Sequence, residues 1–438
     1  MKGEKFFGPE LAALTGEERW PAWMQAVKRE AVRRVLEAGM PGRRNEDWRK
    51  TPIRRFFQKD FRTDWPETED YQADFSAWET DLKAGLLNGL PAYTGHTRDD
   101  APRPVVMPLS RAVEAYPDLL EKHFNVLASR LGGVMTALNT ALFRDGLLVY
   151  VPEGAGTWRM ELTTGLTQAD SLTATRLLVY VAPGNDFRLW WRDRRMASGA
   201  VAVDTAEYVV APGSRLQVIT NHVAAGDAAR LVHHFFRLEG DAQVKTWSFP
   251  PEGALVRNEQ YAVLTGREAR FEAGGLYVPG GERQADHKVF VSHEAPHTYS
   301  SQLFKGIIYD RAKAWFKGYI LVRPGAGETD AYQKNDHILL SDQARAYSRP
   351  FLEIYEDNVS CSHGSTTGRL DDEMLFYMQQ RGLARDEARR LLLKAFGGEV
   401  LLDMDEPFIR QWQEARLDEA LQALPAEPIA ASALNHTS

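Results

Sequence analysis

The chain has 438 residues, 44% of them apolar and 11% aromatic, with a formal charge of −7 and a pI near 5.9; it can bury a large core in two or three parts, and it has no basic excess with which to displace counterions from nucleic-acid phosphates. Its one cysteine, Cys361, cannot close an intramolecular disulfide, which points to a reducing compartment. The start, MKGEKFFGPE, lacks the apolar core of a signal peptide, and no run approaches the ~18 apolar residues of a membrane span, so the expected placement is cytoplasmic, with neither a nucleic-acid nor a membrane partner.

A helix is expected first. Pro21 suits a first turn, Trp23, Val27, Ala31 and Val35 recur every four residues, and Gly39 ends the stripe. GRRNEDWRKTPIRRF follows, mixing charge with Trp48 and Phe56; Glu46 and Asp47 interrupt its basic run, which argues against a nucleic-acid site. From Asp60 to Pro104 the chain is polar, punctuated by Pro and Gly and weakly periodic, and a boundary is placed there. Helical texture over Leu127 to Leu142 gives way at Asp145-Gly146 to short runs of β-branched and aromatic residues bounded by Gly, Pro, Asn or Asp, among them GLLVYVPEGAG, AEYVVAPGSRLQVIT, KGYILVRPG and FLEIYEDN. These continue to Leu370 without helical periodicity, and several are apolar throughout, as strands covered on both faces would be. A sandwich, a pair of barrels or a β-solenoid would each suit. Helices return at Asp371. DDEMLFYMQQRG has acidic residues for an N-terminus and Gly382 for a C′ position. RDEARRLLLKAFGG places Ala388, Leu391, Leu392, Ala395 and Phe396 on one face, closed by Gly397 and Gly398, and further stripes precede the tail PAEPIAASALNHTS. The expected parts are therefore a helical region and linker over 1–104, a β core over 105–370 and a helical region over 371–438.

The chemistry centres on NVSCSHGSTTGRLDDE. Residues two apart share a strand face, so Cys361 and His363 point the same way, about 6–7 Å apart at the backbone. A thiolate beside an imidazolium would be a nucleophile, but no third, orienting group can be identified, and one cysteine cannot supply a CxxC zinc knuckle. His287, His293 and His297 cluster in DHKVFVSHEAPHTY, where Pro296 breaks any helix aligning the last two; core-satisfied or solvated histidines are the better reading. The adjacent His233 and His234 face opposite sides of a strand. RPGAGETD has no Gly-Lys-Ser/Thr and is a turn, not a phosphate loop, and GxSxG, HExxH and Walker A are absent. The residues alone show no complete active site.

The stretch from SQLFKGIIYD through KGYILVRPGAGETD, LLSDQARAYSRPFLEIYEDNVSCSHGSTTG to ARRLLLKAF resembles the signature region of the SufB/SufD family of iron–sulfur cluster assembly. NEDWRKTP and ALNTALFRDGLLVYVPEG agree with it, so the likeness touches all three parts of the chain. Length, NEDWRKTP and the glycine after the histidine of CSHG are similar to the SufD side of the family. Where SufB members carry the sulfur-accepting cysteine, within LLSDQARAYS, this chain has Ala344 or its neighbours. EDNV and AYSRP depart from the more usual ADDV and ADTKP, which puts local contacts in doubt and not the family.

The resemblance implies a right-handed parallel β-helix between helical regions. It also implies a scaffold shared with SufB and the SufC ATPase, this chain being no enzyme itself. A transient iron–sulfur cluster would form near the SufB border, and in some systems a reduced flavin accompanies the complex. On that likeness His363 matches a proposed cluster and metal ligand, with Cys361 placed to assist. The strands around Phe351 to Ser362 would pair with SufB, and the surface of Leu391, Leu392, Phe396 and Leu401 would dock SufC. A homodimer and a monomer are both open for the isolated chain. The competing readings are a cupin-like metal-dependent enzyme, which needs an HxH that this chain lacks, and a plain interaction module in which Cys361 and His363 fill a core.

Overall fold

The computed structural model describes residues 2–62, 75–222, 226–249 and 253–425. Its centre is a parallel β-solenoid in which successive strands alternate between two facing sheets. One sheet has ten strands, ending with Thr329–Leu339 and then Val359–Gly368 at its edge; the other has nine, ending with Lys313–Val322 and then Arg345–Ile354. Each coil stacks in register on the one before, as where His233 lies against Glu259 and Lys288 in turn. Among the described residues, no helix is long and apolar enough to cross a membrane.

Three cores explain why so many strands read as continuously apolar. The lumen between the sheets holds a column including Leu147, Val179, Tyr208, Phe236, Phe271, Phe304 and Phe316. N-terminal helices cover the outer face of the nine-stranded sheet, packing on Leu148, Leu178, Val203, Leu231 and Leu255. C-terminal helices cover the outer face of the ten-stranded sheet, packing on Trp190, Ile219, Trp247, Leu276 and Ile307. A strand with both faces covered has no need to alternate. Glycines within strands mark where a lumen side chain crosses to the facing sheet: a Cβ at Gly318 would lie 2.1 Å from the Gln333 amide oxygen.

The first helix, Ala22–Ala38, begins after Pro21 and ends at Gly39, whose φ is 61°. Its buried face is rotated from the expected stripe, running through Met24, Lys28, Ala31, Val32 and Val35. Lys28 is the reason a charge sits there. Its ammonium donates to the carbonyls of Ala141 at 3.0 Å and Phe143 at 2.8 Å, at the end of helix Val134–Leu142, where unpaired carbonyls and the helix dipole favour a cation. Burial holds its pKa well below the ordinary lysine value, with nearby Arg19 and Arg176 adding to the effect.

The stretch expected to be irregular before residue 104 contains strands. Leu82–Leu87 pairs in parallel with Thr157–Leu166, and antiparallel with Leu90–His96. Asn88 and Gly89 turn this hairpin with φ of 52° and 80°, the left-handed pair that a tight hairpin turn requires. The hairpin closes one end of the ten-stranded sheet. The opposite end of the solenoid, where Val359–Gly368 ends this sheet and Arg345–Ile354 the other, has no such cover among the described residues.

At the C-terminus, Asp371 caps helix Asp372–Gln380 through the backbone N–H groups of Glu373 and Met374, and Gly382 follows with φ of 90°. The next helix, Arg385–Gly398, does not stop at its glycines but runs on into a 3-10 turn, Glu399–Leu401. Gly397 is there for proximity: a Cβ would lie 3.2 Å from Leu417 and 3.3 Å from Leu276. The packed seam is Ala388, Arg389, Leu393 and Gly397, while Leu391 and Ala395 lie outside it, exposed. Beyond Pro425 the tail lies outside the described residues.

Candidate functional site

The uncovered end of the solenoid brings Cys361 and His363 to the rim of the lumen. Their strand, Val359–Gly368, pairs in parallel with Thr329–Leu339, setting Cys361 beside Ala331 and His363 beside Gln333. Side chains in register on adjacent parallel strands share a face. Since Ala331 and Gln333 are 0% and 3% exposed and face inward, Cys361 and His363 continue those inward columns onto the last rung. Among the described residues no further rung covers them, so His363 is exposed while Cys361 stays partly buried against Ile320, Val322, Ala326 and Ala331.

The thiol is not primed as a nucleophile. Burial pushes its pKa up, and the carboxylate of Asp330 adds to the rise, so Cys361 is a protonated thiol at neutral pH and not a thiolate activated by its neighbour. The carboxylate of Glu353 on the adjacent edge strand is engaged by the hydroxyls of Tyr319 and Tyr355. Among the described residues, no three His, Cys, Asp or Glu side chains converge as a metal site. What the rim offers is one soft and one imidazole donor, side by side, open to whatever covers the end of the solenoid.

The histidines of DHKVFVSHEAPHTY and the pair His233 and His234 do not join them. His287 is buried, stacks on Tyr277 at 4.7 Å between ring centres, and has its pKa pushed down to about 3 by burial. His293 is held between the hydroxyls of Thr298 and Ser300, at 2.8 and 2.9 Å, with a pKa of about 3 for the same reason. His297 is in the left-handed conformation at a corner and pairs with Glu328. His233 meets the Asp204 carbonyl and His234 the Tyr208 hydroxyl, both buried. All of these but His297, partly exposed at its corner, are core histidines.

They give the fold a pH dependence of definite sign. A histidine whose folded pKa lies below its unfolded value contributes stability that is whole above pH ~6.5, and that is lost as pH falls towards the folded value, because only the unfolded chain takes up the proton. His287 alone should make the protein less stable by about 2 kcal/mol on going from pH 7 to pH 5. Urea denaturation of the His287→Phe variant should show a correspondingly shallower loss over that interval, and an unchanged slope would contradict the assignment.

A feature that the sequence reading missed lies directly beneath His363. Gln302 and Gln333 occupy successive rungs in register with it, each nearly fully buried, and their amide groups lack protein partners. Polar groups recur elsewhere in the lumen, but there they are paired: the buried Arg230 meets Asp193 at 2.8 Å and Asp204 at 2.7 Å. The signal was a recurrence of polar residues about one coil apart, hidden by strands that otherwise read as apolar or mixed.

The arrangement defines a class: a helix-covered parallel solenoid that presents an incomplete donor set at an open end. Comparison with known proteins gives it a family. The SUF system FeS cluster assembly SufBD core domain matches residues 164–396, and the SufBD protein N-terminal region matches residues 13–159. The chain belongs to the SufBD family of iron–sulfur cluster assembly proteins. It is 26% identical over 429 residues to the iron–sulfur cluster assembly protein SufD of Escherichia coli, covering 94% of this chain and 95% of that one. A SufBD family protein of Mycobacterium leprae is 32% identical over 233 residues, 51% of this chain and 59% of its own length. Another, from Synechocystis, is 25% identical over 382 residues, 83% of each.

The residues suggested for partner docking are divided by the fold. Leu401 is 1% exposed and belongs to the chain's own core with Val400 and Met404. Leu392 and Phe396 are partly buried, and Phe396 also lies under the Lys305 ammonium at 4.4 Å. Leu391 remains exposed, and so do Met374, Phe376 and Tyr377 on the preceding helix, at 46%, 62% and 55%. Ala344 is buried in the lumen cluster at the corner before Arg345–Ile354.

Proposed function

We propose that this chain is the SufD-type subunit of a scaffold formed with SufB and the SufC ATPase, and that the solenoid end carrying Cys361 and His363 is the half-site at which a nascent iron–sulfur cluster is held. One observation carries this reading: among the described residues, the last rung presents both donors on an unpaired strand edge, with no third ligand to hand. A cluster needs more donors than one thiol and one imidazole, so the remainder comes from SufB, and the cluster is cargo shared between subunits, not a resident cofactor. A reduced flavin, where one accompanies the complex, belongs to the assembled form.

The edge also explains the pairing. An uncovered strand is a template for another chain to extend the sheet. Val359–Gly368 has ten residues and no proline, whereas Arg345–Ile354 carries Pro350 and is the poorer template. Replacing Ser362 and Ser365 together by proline removes donors from both sides of the strand. The pair with SufB should then separate on size exclusion while the remaining coils stay folded; an intact complex would remove the assignment.

For SufC, the exposed apolar residues Met374, Phe376, Tyr377 and Leu391 form the docking face, and Leu401 supports it from within. Phe376→Asp with Tyr377→Asp should abolish retention of SufC in a pull-down at unchanged melting temperature, since both side chains are outside the core. Full retention would place SufC elsewhere.

A further inference from the structure

Six cations converge on a groove between the N-terminal segment and the nine-stranded sheet. Arg43, Arg49, Lys50, Arg54, Arg55 and Lys313 line it, and it encloses about 530 Å³, the size of a small-molecule site. No acidic residue lines it, and among the described residues none of the six forms an ion pair. Nearby carboxylates are engaged elsewhere: Asp47 by Lys288 and Lys317, Glu46 by Arg349. In a chain of net charge −7, this is a local reversal of sign that favours an anion.

The groove is built, not a chance meeting of mobile side chains. Gln284, from the sheet, donates to the Lys50 carbonyl at 2.9 Å and fixes the segment to the strand. Lys50 lies over the Tyr347 ring at 4.3 Å and Arg55 over Phe56 at 4.6 Å. Arg54 donates to the Met40 carbonyl at 3.2 Å. Each of these contacts leaves donors free, because a guanidinium has five and an ammonium three. Pro41, Pro52 and the buried Trp48 and Ile53 stiffen the walls.

We infer that this groove binds a compact polyanion of the pyrophosphate class, either free or as the tail of a nucleoside diphosphate. Several forked donors around a concavity match multiple phosphate oxygens, and a single carboxylate would leave most of the cations unpaired. A nucleic-acid strand fits less well: the groove is bounded rather than a stripe tracking a backbone, and the rest of the chain is acidic.

Isothermal titration of the full chain with inorganic pyrophosphate tests the inference, with ADP and a single-stranded oligonucleotide as parallel arms. Pyrophosphate should bind saturably and weaken on raising salt, and Lys50→Ala with Arg54→Ala should lower its affinity at least tenfold without moving the melting temperature, both side chains being exposed. If ADP matches pyrophosphate, the site takes the bare anion. If ADP binds more tightly and Tyr347→Ala removes the difference, it takes the nucleotide. Absence of saturable binding at millimolar pyrophosphate, equal affinity in the double variant, or tighter binding of the oligonucleotide would each overturn the inference.

Discussion

Replacing Arg257 by methionine should cost about 3–5 kcal/mol of folding stability, the usual penalty for removing one member of a buried charge network. Arg257 is fully buried between the rings of Trp48 and Trp315, 4.3 and 4.7 Å from their centres. It donates to Glu259 at 2.6 Å, to the Thr51 hydroxyl at 2.9 Å and to the Asp47 carbonyl at 3.0 Å, with Asp286 at 3.6 Å. Burial alone would lower its pKa, but Glu259 and Asp286 outweigh burial and raise it. Without the guanidinium, Asp286, whose pKa burial already raises, loses its cationic partner, and Glu259 is left with Lys288 and the Tyr261 hydroxyl. The segment NEDWRKTP, which Arg257 fastens to the solenoid together with Lys288 and Lys317 on Asp47, should loosen as well. Chemical denaturation measures the first effect and faster tryptic cleavage at Arg49 and Lys50 the second. A loss below 1 kcal/mol with unchanged cleavage would show that the network is dispensable.

That network shows where sequence reading stops. NEDWRKTP was visible as a mixture of charge and tryptophan, but its partners Arg257, Asp286 and Lys288 lie more than two hundred residues away and sit in strands whose pattern gave no sign of it. The solenoid itself was legible only as short strands of mixed and apolar texture. Its coil length drifts from 26 residues, Ala229 to Leu255, to 32, Lys313 to Arg345, so no fixed repeat emerges. A weak one is present at the corners, where the small buried residues Ser214, Ala242 and Ala269 precede successive strands of one sheet. Asn88-Gly89 was a local signal for a hairpin that the surrounding polar texture obscured. In the C-terminal helices, pattern alone put Leu391 and Ala395 on the packed face; the seam follows Arg389, Leu393 and Gly397 because the helix meets Leu276 and Leu417 closely enough to require glycine. Cys361 and His363 were found from the sequence because CSHG is distinctive. That both stand on the last, uncovered rung is a property of topology that no local pattern encodes.

The second large effect concerns His363. An imidazole nitrogen is a competent iron ligand when neutral. This one is exposed, with its neighbours Ser362 and Gly364 exposed too, so replacing it by alanine removes little packing and should leave the melting temperature within about 0.5 kcal/mol equivalent of the parent. One side chain also contributes little to an interface of ordinary size. Loss of a cluster ligand, in contrast, should reduce cluster accumulation to near background. Cys361→Ser should fall between the two if the protonated thiol only assists, and should match His363→Ala if the thiol is deprotonated by iron and becomes a ligand. Serine keeps the volume, so the apolar contacts with Val322 and Ala331 survive in part and stability should drop by about 1 kcal/mol.

The most direct test is therefore cluster absorbance of the complex reconstituted with His363→Ala, recorded on the same sample whose subunit composition and melting temperature have been measured. The proposed half-site predicts an intact, normally stable complex that accumulates almost no cluster. Normal cluster yield from that intact complex would contradict it.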